Sequence, residues 1–191
     1  MQTIAIRLRR SLVASAFVAL AASGAANARE CLSYAMRAEL EYKIPAGLVQ
    51  AIAQIESGHN PWAISVGTRT VIPANKEEAV QVLRARPVRG IFVGCMQLSL
   101  KHHAWAFDSK ADMLEPAENV DYGAGLLVEL RAKAGTWAKA VQRYQGGTPA
   151  AQRRYACKVA AKLRLINPQS AALPDFRACG TAAAKLESVT W

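Results

Sequence analysis

Residues 51–64 read AIAQIESGHNPWAI, an apolar helix-like run ending on a single carboxylate, Glu56, before the chain breaks at Ser57-Gly58-His59-Asn60-Pro61. Upstream, Pro45 suits the start of a helix and Gly58 suits its stop, so the pattern predicts a helix over 46–57. On that helix Val49, Ile52, Ala53 and Glu56 share one face, because separations of three, four and seven residues return to the same side. The acid therefore belongs to an apolar stripe. Burial of that kind disfavours the charged carboxylate and raises its pKa, which is what a proton donor working near neutral pH requires. The same residues also fit a plain helix end with Glu56 at a solvated rim, and only the rest of the chain discriminates.

Helical periodicity dominates elsewhere. Cys31 to Lys43 reads as a first helix. Asn75, with Glu78 three residues later, forms a capping box that opens a helix running to the break at Pro87. Ile91 to Leu100 reads as the start of a short helix or turn. A short helix near Lys110 to Leu114 precedes longer ones over Pro116 to Lys133, Trp137 to Tyr144 and Pro149 to Ile166, punctuated by Gly135 and Gly146-Gly147. Strand-like alternation is scarce. Thr70-Val71-Ile72 and Gly90 to Val93 are the best candidates for a small β-hairpin, so the expected class is mainly α.

The termini read differently. Arg7, Arg9 and Arg10 precede an apolar run from Leu12 to Ala22, followed by Ala26-Asn27-Ala28. This is the pattern of a secretory leader cut after Ala28, and the run is shorter than the roughly 20 residues of a spanning helix. Export to the periplasm or the medium, with no stable membrane insertion after cleavage, is the expectation. Cys31 does not suit lipidation, because Glu30 stands where a small residue belongs. One domain over 29–166 and a tail over 167–191 account for the remainder. Removing the three leader arginines from the +10 of the full chain leaves +7, which favours anionic partners or simply solubility. For an exported chain the anionic wall suits that charge and nucleic acid does not.

Four cysteines remain, Cys31, Cys95, Cys157 and Cys179. An even count in an oxidising compartment suggests two disulfides with three connectivities open; buried free thiols are the alternative. Cys31–Cys95 and Cys157–Cys179 are the expected pairs, the second tying the tail to the last long helix. No metal is expected: no Cys-x-x-Cys occurs, His59 has no i+4 partner, and adjacent His102 and His103 diverge on a helix. No cofactor is expected either.

Glu56-Ser57-Gly58, Asn60-Pro61 and Ala63-x-Ser65 resemble the first motif of the soluble lytic transglycosylase domain family, also grouped as glycoside hydrolase family 23. Gly94-Cys95-Met96-Gln97 is similar to its second motif, usually Gly-Leu-Met-Gln. Glu115-Pro116-x-x-Asn119-Val120-x-Tyr122-Gly123-x-Gly125-x-Leu127 resembles the helix that follows. Ala140-Val141-Gln142-Arg143-Tyr144-Gln145-Gly146-Gly147 sits where the family carries Ala-Tyr-Asn-x-Gly, and Tyr155 matches a last tyrosine motif. The segments are short, but their order and spacing over residues 31–165 are specific.

The resemblance implies a lysozyme-like fold and cleavage of the β-1,4 bond between N-acetylmuramic acid and N-acetylglucosamine in peptidoglycan. It assigns Glu56 as the single acid and base. Ser57 would bond substrate or the carboxyl, or only backbone. Met96 and Gln97 would line the sugar groove, with Met96 as core packing the alternative. Tyr144 would aim its hydroxyl at Glu56 or the N-acetyl group, with Gln145 beside it, and Tyr155 would flank the same cleft. The internal 6-hydroxyl would attack the anomeric carbon and leave a 1,6-anhydro sugar, with no second carboxylate needed. A hydrolytic muramidase and a non-catalytic wall-binding module are the rival readings. By analogy, a small monomeric enzyme of this kind opens the wall locally for a secretion, conjugation or flagellar machine.

Three departures stand out. Cys95 replaces leucine, which fits a disulfide to Cys31. Gln145 replaces asparagine, which puts any substrate bond there in doubt. Residues 68–90 form an insertion carrying Arg69, Lys76, Arg84, Arg86 and Arg89, readable as a basic flap or as a solvated helix face.

Overall fold

Helical periodicity and strong end signals give most of the chain its architecture in the computed structural model, which describes residues 28–85, 89–173, 176 and 179. The leader, Arg86, the Pro87 break and most of the C-terminal tail lie outside the described residues. Helix α1 covers 28–41 among them. Helix α2 (Leu48–Ser57) follows, then strands β1 (Ile64–Val66) and β2 (Arg69–Val71), and helix α3 (Lys76–Arg84). Strands β3 (Ile91–Val93) and β4 (Leu98–Ser99) lead into α4 (Leu100–His103). Two 3-10 turns precede α5 (Pro116–Ala134), α6 (Trp137–Gln145), α7 (Pro149–Ile166) and α8 (Pro168–Ala171). The fold is mainly α and lysozyme-like.

Helix α2 is the hub. Leu48, Val49, Ala51, Ile52 and Ala53 are fully buried, and α7 packs against both α2 and α6. Removing the three larger side chains from water stabilises the fold by at most about 9 kcal/mol. The predicted stripe is present, but the helix begins at Leu48 instead of Ala46. Pro45 to Gly47 forms a turn in which Gly47 takes φ +91°, and the Gly47 N–H donates to the Glu39 carboxylate at 2.7 Å. That carboxylate, 4 % exposed, also accepts the Gln50 backbone N–H at 3.0 Å and its side-chain Nε2 at 2.7 Å. A charge from α1 thus satisfies orphan donors at the start of α2 and complements its dipole.

The expected hairpin is corrected in two ways. The described sheet has four antiparallel strands in the order β2-β1-β3-β4, so segments 69–71 and 91–93 flank β1 instead of pairing with each other. Ser65 pairs with Thr70 on one side and with Phe92 on the other. Strand β1 is too short to show alternation. The reading of 91–100 as a short helix or turn gives way to a strand, a turn, a second strand and only then α4. Gly94 at φ +81° makes that reversal, and the 2.3 Å separating its absent Cβ from Asn119 Nδ2 leaves no room for a side chain.

Residues 68–90, read as an insertion from the sequence, supply β2 and α3. Asn75 Oδ1 accepts the Glu78 N–H, and Glu78 returns a carboxylate oxygen to the Ala74 N–H, close to the predicted capping box. Ala79 and Leu83 enter the core, and the Lys76 ammonium pairs with Glu115 just ahead of α5. The helix is docked, with Arg69, Arg84 and Arg89 exposed. Both expected disulfides are present: Cys31–Cys95 ties α1 to the loop after β3, and Cys157–Cys179 ties α7 to the tail. Their closures, spanning 64 and 22 residues, each restrict the unfolded chain by about 3–4 kcal/mol on the chain-entropy account. No helix among the described residues is long and apolar enough to cross a membrane.

Candidate active site

The end of α2 places Glu56 against α7. The chain turns left-handed at Gly58 and again at His59, whose N–H reaches back to the Ala53 carbonyl, and the Asn60 side chain caps the Trp62 N–H at 2.9 Å. Gln54, Ile55, Glu56 and Ser57 in the last turn of α2 are half-buried. Glu56 is partly accessible, yet burial dominates its titration and raises its pKa from the ordinary 4.5 to about 7. The Tyr155 hydroxyl donates to Glu56 Oε1 and, with the positive charge of Lys158, opposes part of that rise. Among the described residues no carboxylate contributes to the shift.

The two tyrosines have different partners. Tyr144, expected to aim its hydroxyl at Glu56 or the N-acetyl group, donates it to the Met96 carbonyl at 2.8 Å; Tyr155, expected to flank the same cleft, contacts the acid. The cause is which helix lies opposite α2, and α7 does. Burial and the nearby Glu56 charge push both phenols well above their ordinary 10.0. They therefore stay protonated donors throughout the physiological range.

Loop 94–97 forms the neighbouring wall. Ser57 Oγ lies 2.9 Å from the Cys95 carbonyl and 3.1 Å from the Ala53 carbonyl, so its hydroxyl serves backbone, the second of its two readings. Met96 is fully buried, which removes its side chain from the groove and leaves it as core packing beside Gly123. Gln97, 8 % exposed at φ +48°, spends its Nε2 on the Ala63 and Gly94 carbonyls, each at 3.0 Å. Its Oε1 is buried and has no hydrogen-bond partner among the described residues. Gln145 lies exposed at the end of α6.

In the sequence Asn119 stands only as part of a motif, and nothing local signals its job. Fully buried, it accepts the Met96 N–H at 2.8 Å and donates to the Val93 and Met113 carbonyls at 3.0 and 2.7 Å. One side chain of α5 thereby fixes both ends of the 94–96 turn. Lys158 was also unassigned, although its place three residues after Tyr155 puts both on one face of α7.

His59 Nε2 lies 3.1 Å from the Gln50 carbonyl and His103 Nδ1 lies 3.0 Å from the Tyr122 hydroxyl, and burial lowers the pKa of both rings. No cluster of three His, Cys, Asp or Glu residues suited to a metal occurs among the described residues. Two surface hollows, about 350 Å³ between α1 and α5 and about 520 Å³ beside α8, are lined by other residues than Glu56. Charge and hydrogen bonding, more than volume, mark the site.

What the arrangement can do is bounded: one acid of near-neutral pKa, a phenol to steady its ionised form, and a rigid loop opposite. A family model described as the transglycosylase SLT domain matches residues 33–164. No curated protein and no solved structure matches the chain. With the match covering well over half of its length, this chain belongs to the transglycosylase SLT domain family.

Proposed function

We propose that this chain is a peptidoglycan lytic transglycosylase in which Glu56 alone serves as acid and then as base. The observation that carries this reading is the Glu56 carboxyl, raised to about 7, bonded by Tyr155 and acted on by no second carboxylate among the described residues. A group with that pKa is substantially populated in both protonation states near neutrality, so one residue suits both half-steps. In the first, Glu56 donates its proton to the glycosidic oxygen as the bond from the muramic C1 breaks. In the second, the Glu56 carboxylate takes the proton of the muramic 6-hydroxyl as that oxygen bonds to C1. The products are a free 4-hydroxyl on glucosamine and a 1,6-anhydromuramic end, and Glu56 finishes protonated.

Tyr155 steadies the carboxylate between the two half-steps. Tyr144 holds the loop that carries Met96 and Gln97. The intramolecular nucleophile needs no activated water and gains from proximity. The leader pattern and two disulfides accord with action in the periplasm or outside the cell, and the small domain suits local opening of the wall for a secretion, conjugation or flagellar machine.

Digestion of purified peptidoglycan by wild type and Glu56→Gln, read by product mass, tests the proposal. Anhydro ends from wild type, abolished by the substitution, are expected. Hydrated reducing ends alone would make the chain a muramidase, and lysis unaffected by Glu56→Gln would remove Glu56 from the chemistry.

A further inference from the structure

Charge is sorted unevenly along this chain. From Thr136 to Ile166, the span of α6 and α7, it carries seven Lys or Arg and no Asp or Glu. Lys139, Arg143, Arg153, Arg154 and Lys158 are exposed. On α7, Arg154, Lys158 and Lys162 recur every four residues and so form one stripe, with Tyr155 beside it. Two observations place that stripe against the end of α2. Tyr155 bonds Glu56, and the charges of Lys158 and Lys162 act on Glu56 and His59 respectively. The basic row thus borders the acid instead of lying on a remote surface.

We propose that Arg154, Lys158 and Lys162 form a carboxylate-binding stripe for the stem peptides that project from the glycan, so that the chain prefers peptide-bearing strands to peptide-free ones. The inference rests on peptidoglycan being the substrate. Its chemistry is direct: every intact stem carries free carboxylates, and a strand seated at Glu56 brings its stems along the cleft rim. Ammonium and guanidinium groups in a row meet such anions by charge-assisted hydrogen bonds. Nucleic acid or a lipid surface would also answer to positive charge, but neither accounts for a stripe that borders the glycan-cleaving acid.

The test is binding, which is independent of turnover. Binding of the full mature chain, read by fluorescence anisotropy, is compared on labelled, uncrosslinked glycan strands bearing stems and on the same strands stripped of stems by an amidase, which keep only the lactyl carboxylate. Wild type is expected to bind the stem-bearing strands about five-fold more tightly, the preference vanishing at roughly 0.5 M salt, where screening acts within about 4 Å. Arg154→Gln/Lys162→Gln is expected to lose the preference. Lys101→Gln/Lys110→Gln, with the same change in net charge elsewhere, is expected to keep it. Equal wild-type binding to stem-bearing and stem-free strands would overturn the stripe, as would equal loss in the two double variants, which would reduce the effect to net charge. Absence of anhydro products in the digestion would instead refute the catalytic proposal while this binding difference still decides the stripe.

Discussion

Replacing Glu56 with glutamine should stabilise the protein, and by an amount that depends on pH. Burial lifts the folded-state pKa of Glu56 to about 7 from the 4.5 of a solvated glutamate. Between those values the folded state holds the proton more tightly than the unfolded one, so wild-type stability falls as pH rises through that window. Below about 4.5 both states are protonated and no penalty exists. Above about 7 both are ionised and the whole penalty is present, about 3 kcal/mol from the size of the shift. Glutamine has the shape of the neutral acid at every pH and still accepts the Tyr155 hydroxyl. The difference in unfolding free energy between variant and wild type should therefore be small at pH 4 and grow by about 3 kcal/mol by pH 8, roughly 6–12 °C in Tm. Other titrating groups are common to both proteins and largely cancel. Urea melts at unit pH steps from 4 to 8, with the disulfides intact, measure it directly. A difference that stays flat across the window would refute the claim that burial controls Glu56, and so would a variant that loses ground as pH rises.

Two further outcomes follow from the same geometry. Tyr155→Phe removes a hydrogen bond that favours the charged carboxylate, so Glu56 should titrate above about 7; carbon NMR of labelled glutamate carboxyls reports this, and an unmoved or lowered titration would contradict it. Asn119→Ala deletes three buried hydrogen bonds and should cost about 3 kcal/mol or more, measured by urea unfolding; a loss below about 1 kcal/mol would mean that the 94–96 turn is held by other groups.

Much of this protein is written locally. The stripe Val49-Ile52-Ala53-Glu56, the cap at Asn75, the prolines at 116 and 149 and the stop at Gly135 mark helices because each signal acts within one or two turns. The acid itself was legible for the same reason: an apolar period of 3.6 residues says which face Glu56 occupies. The cysteine pairs were legible as a short menu of three connectivities. Short strands were not, since three residues cannot display a period of two, and pairing 64–66 between 69–71 and 91–93 depends on what the helices leave to cover.

Tertiary structure alone decided the rest. Whether Tyr144 or Tyr155 reaches Glu56 turns on α7 packing against α2, while α6 holds the loop after β3. Whether Met96 lines a groove or fills the core turns on how closely α5 approaches at Gly123. The joint that Asn119 makes between α5, β3 and the 94–96 turn joins residues up to 26 positions apart, beyond the reach of any sequence period. The apolar face that Glu56 shares was marked by its own neighbours in sequence; the phenol and the lysine that temper its pKa arrive from about a hundred residues away, because proximity in space is set by helix packing and not by helix propensity.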